Sequence, residues 1–424
     1  MIKTLATLIL PLIATVASAK DYVVTNYGVR PDEPTQPQTE LLQAVIDRAA
    51  SEGGGTIVIP RGTFMSGALF FRQGTNLRID QGGTLKGIDD IAHYPIRRTR
   101  LEGQTIRYFS ALVNADSISG FSISGRGTID GNGLRFWREF WLRREVNKAC
   151  TNLEALRPRL IYISNCTDVS IDSVTMQNSA FWTLHIYRSE RIRITGTTTF
   201  SPAAPVKAPS TDAIDLDNCR DVVIRGCRIS VNDDAIALKG GKGTWADTDP
   251  DNGPNEDVLI EDCDFGFVHS CLTLGSESVS DKNIVMRNCR VDGANRVLWL
   301  KFRPDTPQLY EDITVQGISG RSREFIVVRP WTQFYSKGDR PDMPKSQCMG
   351  LTINNIKIEC GRFCNIGASA DYELSDFTFR DVDAVSADTG FDLSMVHGAK
   401  VTNVKIRPSG NSESLDKERA GEAE

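Results

Sequence analysis

The stretch Ser210–Gly241, STDAIDLDNCRDVVIRGCRISVNDDAIALKGG, carries in miniature the rule of the whole chain. A short apolar alternation, AIDLD, gives way to a polar turn, then a second alternation, VVIRGC, another turn, and a third alternation, AIALK. Period-two alternation marks strands that bury one face. Beside these runs stand Asp212, Asp215, Asp217, Asp233 and Asp234, and carboxylates set so close repel one another unless something uses their charge.

The pattern recurs outward from there. LIYIS starts at Leu160, LHIY at Leu184, CLTLG at Cys271, VLWLK at Val297, FIVVR at Phe325, FCNIG at Phe363 and FDLSM at Phe391, mostly about twenty residues apart. Strand, turn, strand, turn at such a period predicts an all-β chain wound as a right-handed parallel β-helix, one repeat per coil. A β-sandwich would want Asn-Gly hairpins between its strands, and these are scarce. Cys227, Cys263 and Cys289 fall at one place in three coils, which reads as an inward stack of small apolar groups rather than as disulfides or metal ligands. No Cys-x-x-Cys pair is present to suggest zinc.

The only convincing helical period in the body of the chain lies between Phe136 and Leu156. Near the start, TELLQAVIDRAASEGGG places Leu42, Val45, Ile46 and Ala49 on one face, with Thr39 as N-cap and Gly53 as C-cap. Such a helix would cover the open first coil, hiding its unpaired edge. Residues 1–19 read as a cleavable signal peptide: one Lys, an apolar run and Ala17-Ser18-Ala19. A single β-helix domain over 20–410 follows, then a charged tail over 411–424 expected to be disordered.

No second segment is long and apolar enough to span a bilayer, so the mature chain is expected to be exported, periplasmic or extracellular, monomeric and not inserted in a membrane. Its net charge of −5 becomes −6 once Lys3 leaves with the signal, which argues against nucleic acid as a partner. An acidic substrate would then need a local basic patch.

Equivalent positions in successive coils lie roughly 4.8 Å apart, so the repeats can be laid over one another. Aligning Leu184, Ile214, Ile236, Leu272 and Leu298 gives one outward column, His185, Asp215, Ala237, Thr273, Trp299, and a second, Tyr187, Asp217, Lys239, Gly275, Lys301. At the preceding corner stand Asp212, Asp234, Ser270 and Arg296, and one residue earlier Thr211, Asp233, His269 and Asn295. Asp212 stacked on Asp234 is a like-charge contact that costs stability. It suits acid–base hydrolysis, in which one carboxyl keeps its proton while another stays ionised.

Four blocks, STDAIDLDN, VNDDAIALKGG, VHSCLTLGSES and VLWLKFR, resemble the signatures of glycoside hydrolase family 28, the polygalacturonases and their relatives. In that family the blocks read approximately NTDG-x-D, DD-C, GHG and RIK. YGVRPD, GGGTIVIPRGTF, ISGRGTIDGNG and NSAFWTLHI also look like the family. The resemblance implies an inverting hydrolase of pectic saccharides without a cofactor or metal. It implies Asp233 as general acid, Asp212 and Asp234 as the carboxylates that activate water, His269 as the GHG histidine and Lys301 as the RIK lysine. Inversion would set acid and base roughly 6.5–9.5 Å apart.

The chain departs from the family pattern at Ser210, Ala213 and Ala235, sets His269 one residue further from Gly275, and has Trp299 where RIK has Arg. An exposed Trp299 would stack on a sugar, and either Arg296, Arg303 or Arg329 would replace the lost guanidinium or the neighbouring sugar would be neutral, such as rhamnose. Asp215, Lys239 and His185 complete the expected substrate-binding set. Long insertions carrying Trp245, Tyr310, Trp331, Phe334 and Tyr335 suggest walls that close a cleft into a pocket and favour attack at chain ends. Two rivals remain: a lyase holding Ca²⁺ on Asp212, Asp215, Asp217, Asp233 and Asp234, and a non-catalytic carbohydrate-binding β-helix.

Overall fold

Each coil bends where one residue enters the left-handed region. Asn165, Arg188 and Asn218 do so at one corner with φ of 52°, 45° and 59°. Gly196, Gly226, Asp262 and Asn288 do so at the next, with φ between 55° and 64°. Gly, Asn and Asp adopt this geometry at least cost, which explains the recurring Asn-Cys and Gly-Cys pairs of the sequence. A single such residue turns the strand without a hairpin, so the next strand runs on around the coil and pairs in parallel with its predecessor.

In the computed structural model, which describes residues 20–33, 36–334, 336, 338 and 340–409, this rule produces a right-handed parallel β-helix. The signal-peptide, tail and Tyr335 expectations lie outside the described residues. Thirty-one strands join in one sheet that winds around the core, and a separate two-stranded antiparallel hairpin lies apart from it. That hairpin is β1 (Ile96–Leu101) and β2 (Gln104–Phe109). The ladder that carries the site is β3 (Val113–Asp116), β4 (Ile161–Ser164), β5 (Leu184–Tyr187), β6 (Ile214–Asp217), β7 (Ile236–Lys239), β8 (Leu272–Leu274), β9 (Arg290–Phe302) and β10 (Leu309–Pro330).

The register is the one expected from alternation: His185 opposes Asp215, Asp215 opposes Ala237, Ala237 opposes Thr273, and Thr273 opposes Trp299. Leu184, Ile214, Ile236, Leu272 and Leu298 point inward and are fully buried. All ten cysteines are free and buried, with Cys227, Cys263 and Cys289 in the core as expected.

Helix α1 (Thr39–Ser51) buries Leu42, Val45, Ile46 and Ala49 against the first coils. Its start corrects one expectation: Gln38 is the N-cap, and Thr39 Oγ1 instead accepts a hydrogen bond from Gly67 N at 2.7 Å. Glu52 takes the C-cap, with Gly53 just beyond it at φ 98°. Helix α2 (Leu134–Val146) occupies part of the segment with helical period and buries Phe136, Trp137 and Phe140. No helix among the described residues is long and apolar enough to cross a membrane.

A buried carboxyl in the coil stack allows a stability prediction. Asp281 is fully buried, its Oδ1 accepts from Asn255 Nδ2 (2.9 Å) and Ser278 Oγ (2.9 Å), and its Oδ2 has no partner. Burial pushes its pKa up to about 7. The native state thus keeps a proton that the unfolded chain releases near pH 4, so stability drains away as pH rises between those values. Asp281→Asn removes this loss: by chemical denaturation its stability should gain on the parent from pH 4 to 7, by on the order of 4 kcal/mol at most. A constant difference across that range would contradict the account.

Candidate active site

The corner before each strand of the ladder stacks Asp212, Asp234, Ser270 and Arg296 through successive backbone bonds: Ala213 N to Asp234 O, Ala235 N to Ser270 O, and Cys271 N to Arg296 O. Parallel winding therefore forces three carboxylates together. One oxygen from each of Asp212, Asp233 and Asp234 lies within 4.8 Å of the others. Asp212 and Asp234 are neighbours in one column, one coil apart.

The three carboxylates are not equivalent. The Asp212 and Asp234 side chains are 5% and 2% exposed, whereas that of Asp233 is 26% exposed. Burial, reinforced by the charges of Asp233 and Asp215, pushes Asp212 well above the usual carboxylate range. Burial raises Asp233 too, but His269 first, then Lys301 and Lys239, outweigh it and hold it below its ordinary value. His269 Nδ1 lies 3.4 Å from Asp233 Oδ1, so the shifted histidine still reaches the cluster. Of Asp212 and Asp233, the former has the greater affinity for a proton.

Two ammonium groups complete the charge pattern. Lys301 Nζ donates to Asp234 Oδ2 at 2.7 Å, leaving Asp234 Oδ1 buried without a partner in the protein. Lys239 Nζ stands 3.1 Å from Glu277 and 3.6 Å from both Asp212 and Asp215, with the Trp182 ring 4.5 Å away. Burial disfavours the charge on Lys239, yet Glu277, Asp212 and Asp215 together push its pKa well up. Burial pushes Asp215 up to about 7, with Lys239 opposing. A divalent cation on Asp212, Asp233 and Asp234 would have to sit against these ammonium groups, which does not suit Ca²⁺ and its six to eight oxygens.

Several expected substrate contacts are corrected. His185 is fully buried: Arg159 Nη1 lies 2.7 Å from its Nδ1, Asp217 Oδ2 lies 3.4 Å from its Nε2, and burial pulls its pKa down to about 4. Asp217, called as a calcium ligand in the lyase reading, is held by Arg100 Nε at 3.1 Å. Arg303 is 2% exposed, locked to Asp305 at 2.8 Å by Nε and by Nη2. Asp215 and Lys239 are buried as well, so they support the cluster from beneath.

Trp299 is 9% exposed, not open: the Arg296 guanidinium sits 3.9 Å and Lys301 Nζ 4.1 Å from its ring centre, and Trp331 packs edge-on at 5.2 Å. Tyr310 is no wall residue but core, stacked on Phe302. Arg329 opposes Lys301 in the next coil, is exposed, and donates to Asn365 Oδ1 at 2.9 Å.

The buried outward residues lie under loops. The β1–β2 hairpin lies along the ladder: Arg100 N donates to Tyr162 OH at 3.2 Å, and Leu101 packs with Phe181 and Trp182. At its tip Gly103, at φ +70°, comes so close to the next coils that an added Cβ would stand 2.8 Å from Glu277 Cβ and 2.9 Å from Gly241. Glu102 receives a hydrogen bond from Asn152 (3.2 Å) and faces Lys242 Nζ (3.6 Å). Arg340 Nη1 holds Thr244 O at 2.9 Å, and Arg303 holds the carbonyls of Gln333 and Phe334 at 3.2 Å. The insertions thus brace one another around the acidic cluster, with Trp245 and Phe334 exposed on them.

Comparison with known proteins agrees with this architecture. Residues 53–362 match the family described as Glycosyl hydrolases family 28. A probable polygalacturonase of Vitis vinifera is 29% identical over 202 residues, 46% of this chain and 39% of its own length. An endo-polygalacturonase of Pectobacterium parmentieri is 27% identical over 243 residues, 56% of this chain and 58% of its own. The chain therefore spans about half the length of these curated relatives. The exopolygalacturonase structure from Thermotoga maritima superposes with a TM-score of 0.68 over 93% of this chain and 94% of that one, at 21% identity, and so shares the fold.

Proposed function

The chain belongs to glycosyl hydrolase family 28, and from that premise we propose that it hydrolyses α-galacturonosyl linkages in pectic saccharides, with inversion and from a chain end. The observation that carries the reading is the trio Asp212, Asp233 and Asp234, in which two members are buried and one faces the opening. Asp233 is the acid, because the leaving oxygen must arrive from the open side. It draws on the proton that Asp212 holds, a carboxylate within 4.8 Å. Asp234 Oδ1, buried and without a partner in the protein, accepts the proton of the attacking water. Lys301 donates to Asp234 Oδ2 and holds the carboxylate in place.

Arg296 supplies the guanidinium for a uronate carboxylate, since it covers Trp299, the residue that stands where the family has arginine. Arg329 lies one coil beyond Lys301, at the edge of the same patch. Attack at a chain end is favoured by the hairpin, whose tip closes the groove against Lys242 and Glu277. An export signal over residues 1–19 suits a polymer substrate found outside the cell.

The test of end attack compares viscosity with reducing-end release on polygalacturonate. Release of monomer with viscosity held nearly constant is expected. A steep early fall in viscosity would mean cleavage within chains.

The His269 contact has its own signature. His269→Gln removes the group that lowers Asp233 most, so Asp233 should keep its proton to higher pH. Asp233 then takes a larger share of the proton it exchanges with Asp212, and the alkaline limb of the kcat/KM profile should move to higher pH. An unmoved limb would remove His269 from the account.

A further inference from the structure

On the far side of the hairpin from the acidic cluster lies a cleft of about 550 Å³. Its floor is the same outward column one step earlier: Phe70, Asn114 and Tyr162 precede His185 and Asp215 in the ladder. Neither the three catalytic carboxylates nor Lys301 line it. Thr99 and Arg100 of β1 form its boundary, held down by Arg159, whose Nη2 donates to Thr99 Oγ1 (2.6 Å) and Nη1 to Arg100 O (2.8 Å). The column is thus cut in two by the hairpin, with the acidic cluster on one side and this cleft on the other.

The cleft is rich in guanidinium. Arg97, Arg98, Arg100 and Arg188 line it, against the carboxylates of Asp116 and Asp251. Asp251 is shared by Arg98 (2.9 Å) and Arg188 (3.7 Å), and Asp116 accepts from Ser164 Oγ and Asn165 Nδ2. Arg97 lies over the Phe70 ring at 4.1 Å. Arg100, 1% exposed, commits Nε to Asp217 and Nη2 to Asn252 but leaves Nη1 without a partner. Thr105 Oγ1 on the facing strand has none either.

Excess guanidinium reads carboxylate, and the row of hydroxyls and amides reads sugar hydroxyls. We infer that this cleft is a second saccharide site, separate from the reaction centre, that binds a uronate-bearing oligosaccharide. It holds one stretch of an acidic glycan on the protein while an end occupies the catalytic pocket.

The test is calorimetric titration of trigalacturonate into the full chain carrying Asp233→Asn, whose lowered turnover leaves the ligand largely intact over the titration. Two binding events per chain are expected, falling to one when Arg97→Gln and Arg188→Gln are added. In the Asp233 parent the same double change should leave kcat on trigalacturonate unaltered, since neither arginine belongs to the catalytic pocket. One event that survives the double change, two events that both survive it, or equal binding of neutral maltotriose in the cleft would overturn the inference. One event that the double change abolishes would uphold the cleft and count instead against the catalytic pocket as a uronate site.

Discussion

Asp233→Asn is expected to lower kcat by roughly 10²–10⁴-fold, the usual worth of a positioned general acid. The change is nearly isosteric, and the one backbone bond that Asp233 Oδ1 accepts, from Asp234 N at 2.9 Å, is kept by an amide oxygen. The Asp233 side chain is also the most exposed of the trio, so the fold loses little with its charge, while Asp212 loses one of the charges that raise its proton affinity. The melting temperature should therefore stay close to that of the parent while turnover collapses. If turnover persisted within a factor of a few, the proton would have to reach the leaving oxygen from Asp212 directly. The high proton affinity of Asp212 makes it the natural second candidate.

The second large effect falls on stability. Among the described residues Lys239 is the one ammonium within 4 Å of Asp212, Asp215 and Glu277 together, and all four groups are buried. Lys239→Met keeps the length of the side chain and its contact with Trp182 but leaves these carboxylates without their counter-charge. Breaking a buried pair in this way costs about 3–5 kcal/mol. The sign with pH is set by the carboxylates. Glu277, which Lys239 and then Lys242 hold below its ordinary value against burial, would rise, as would Asp215. Native carboxyls with raised pKa lose stability as pH climbs, so the gap between variant and parent should widen from pH 5 to pH 8. Chemical denaturation at the two pH values measures it; a gap that narrowed would mean the cluster is not held by Lys239.

The register of the coils was legible because alternation has a period of two and parallel stacking repeats it without slippage. The columns of AIDLD, AIALK, CLTLG and VLWLK bring Asp212, Asp234 and Lys301 together from the sequence alone. What alternation cannot say is which outward residues a loop will cover. His185, Asp215 and Lys239 sit at outward positions and yet are buried, because the β1–β2 hairpin and the loop following β7 lie over them. Arg303 looked free for the same reason, although Asp305 two residues on was the signal that it would be paired. Glu277 escaped notice within the block VHSCLTLGSES, and an acid so near the lysine column could have been read as the partner of Lys239. Arg100 and Arg159 left no such mark, since their partners Asp217 and His185 are distant in sequence.

The arrangement of the cluster bears directly on the stereochemistry of the reaction. Carboxyl groups about 5–5.5 Å apart are the usual mark of retention through a covalent intermediate, and wider spacing that of inversion. Here Asp212 is pushed toward its protonated form and Asp234 is buried with Oδ2 taken by Lys301, which suits holding a water better than attack by either carboxylate. The decisive measurement is the proton NMR spectrum of the first product formed from an α-linked galacturonate oligomer, recorded before mutarotation. Saturated galacturonate appearing first as the β-anomer is the predicted result. The α-anomer appearing first would make one of these carboxylates a nucleophile, and an unsaturated product would replace hydrolysis by elimination.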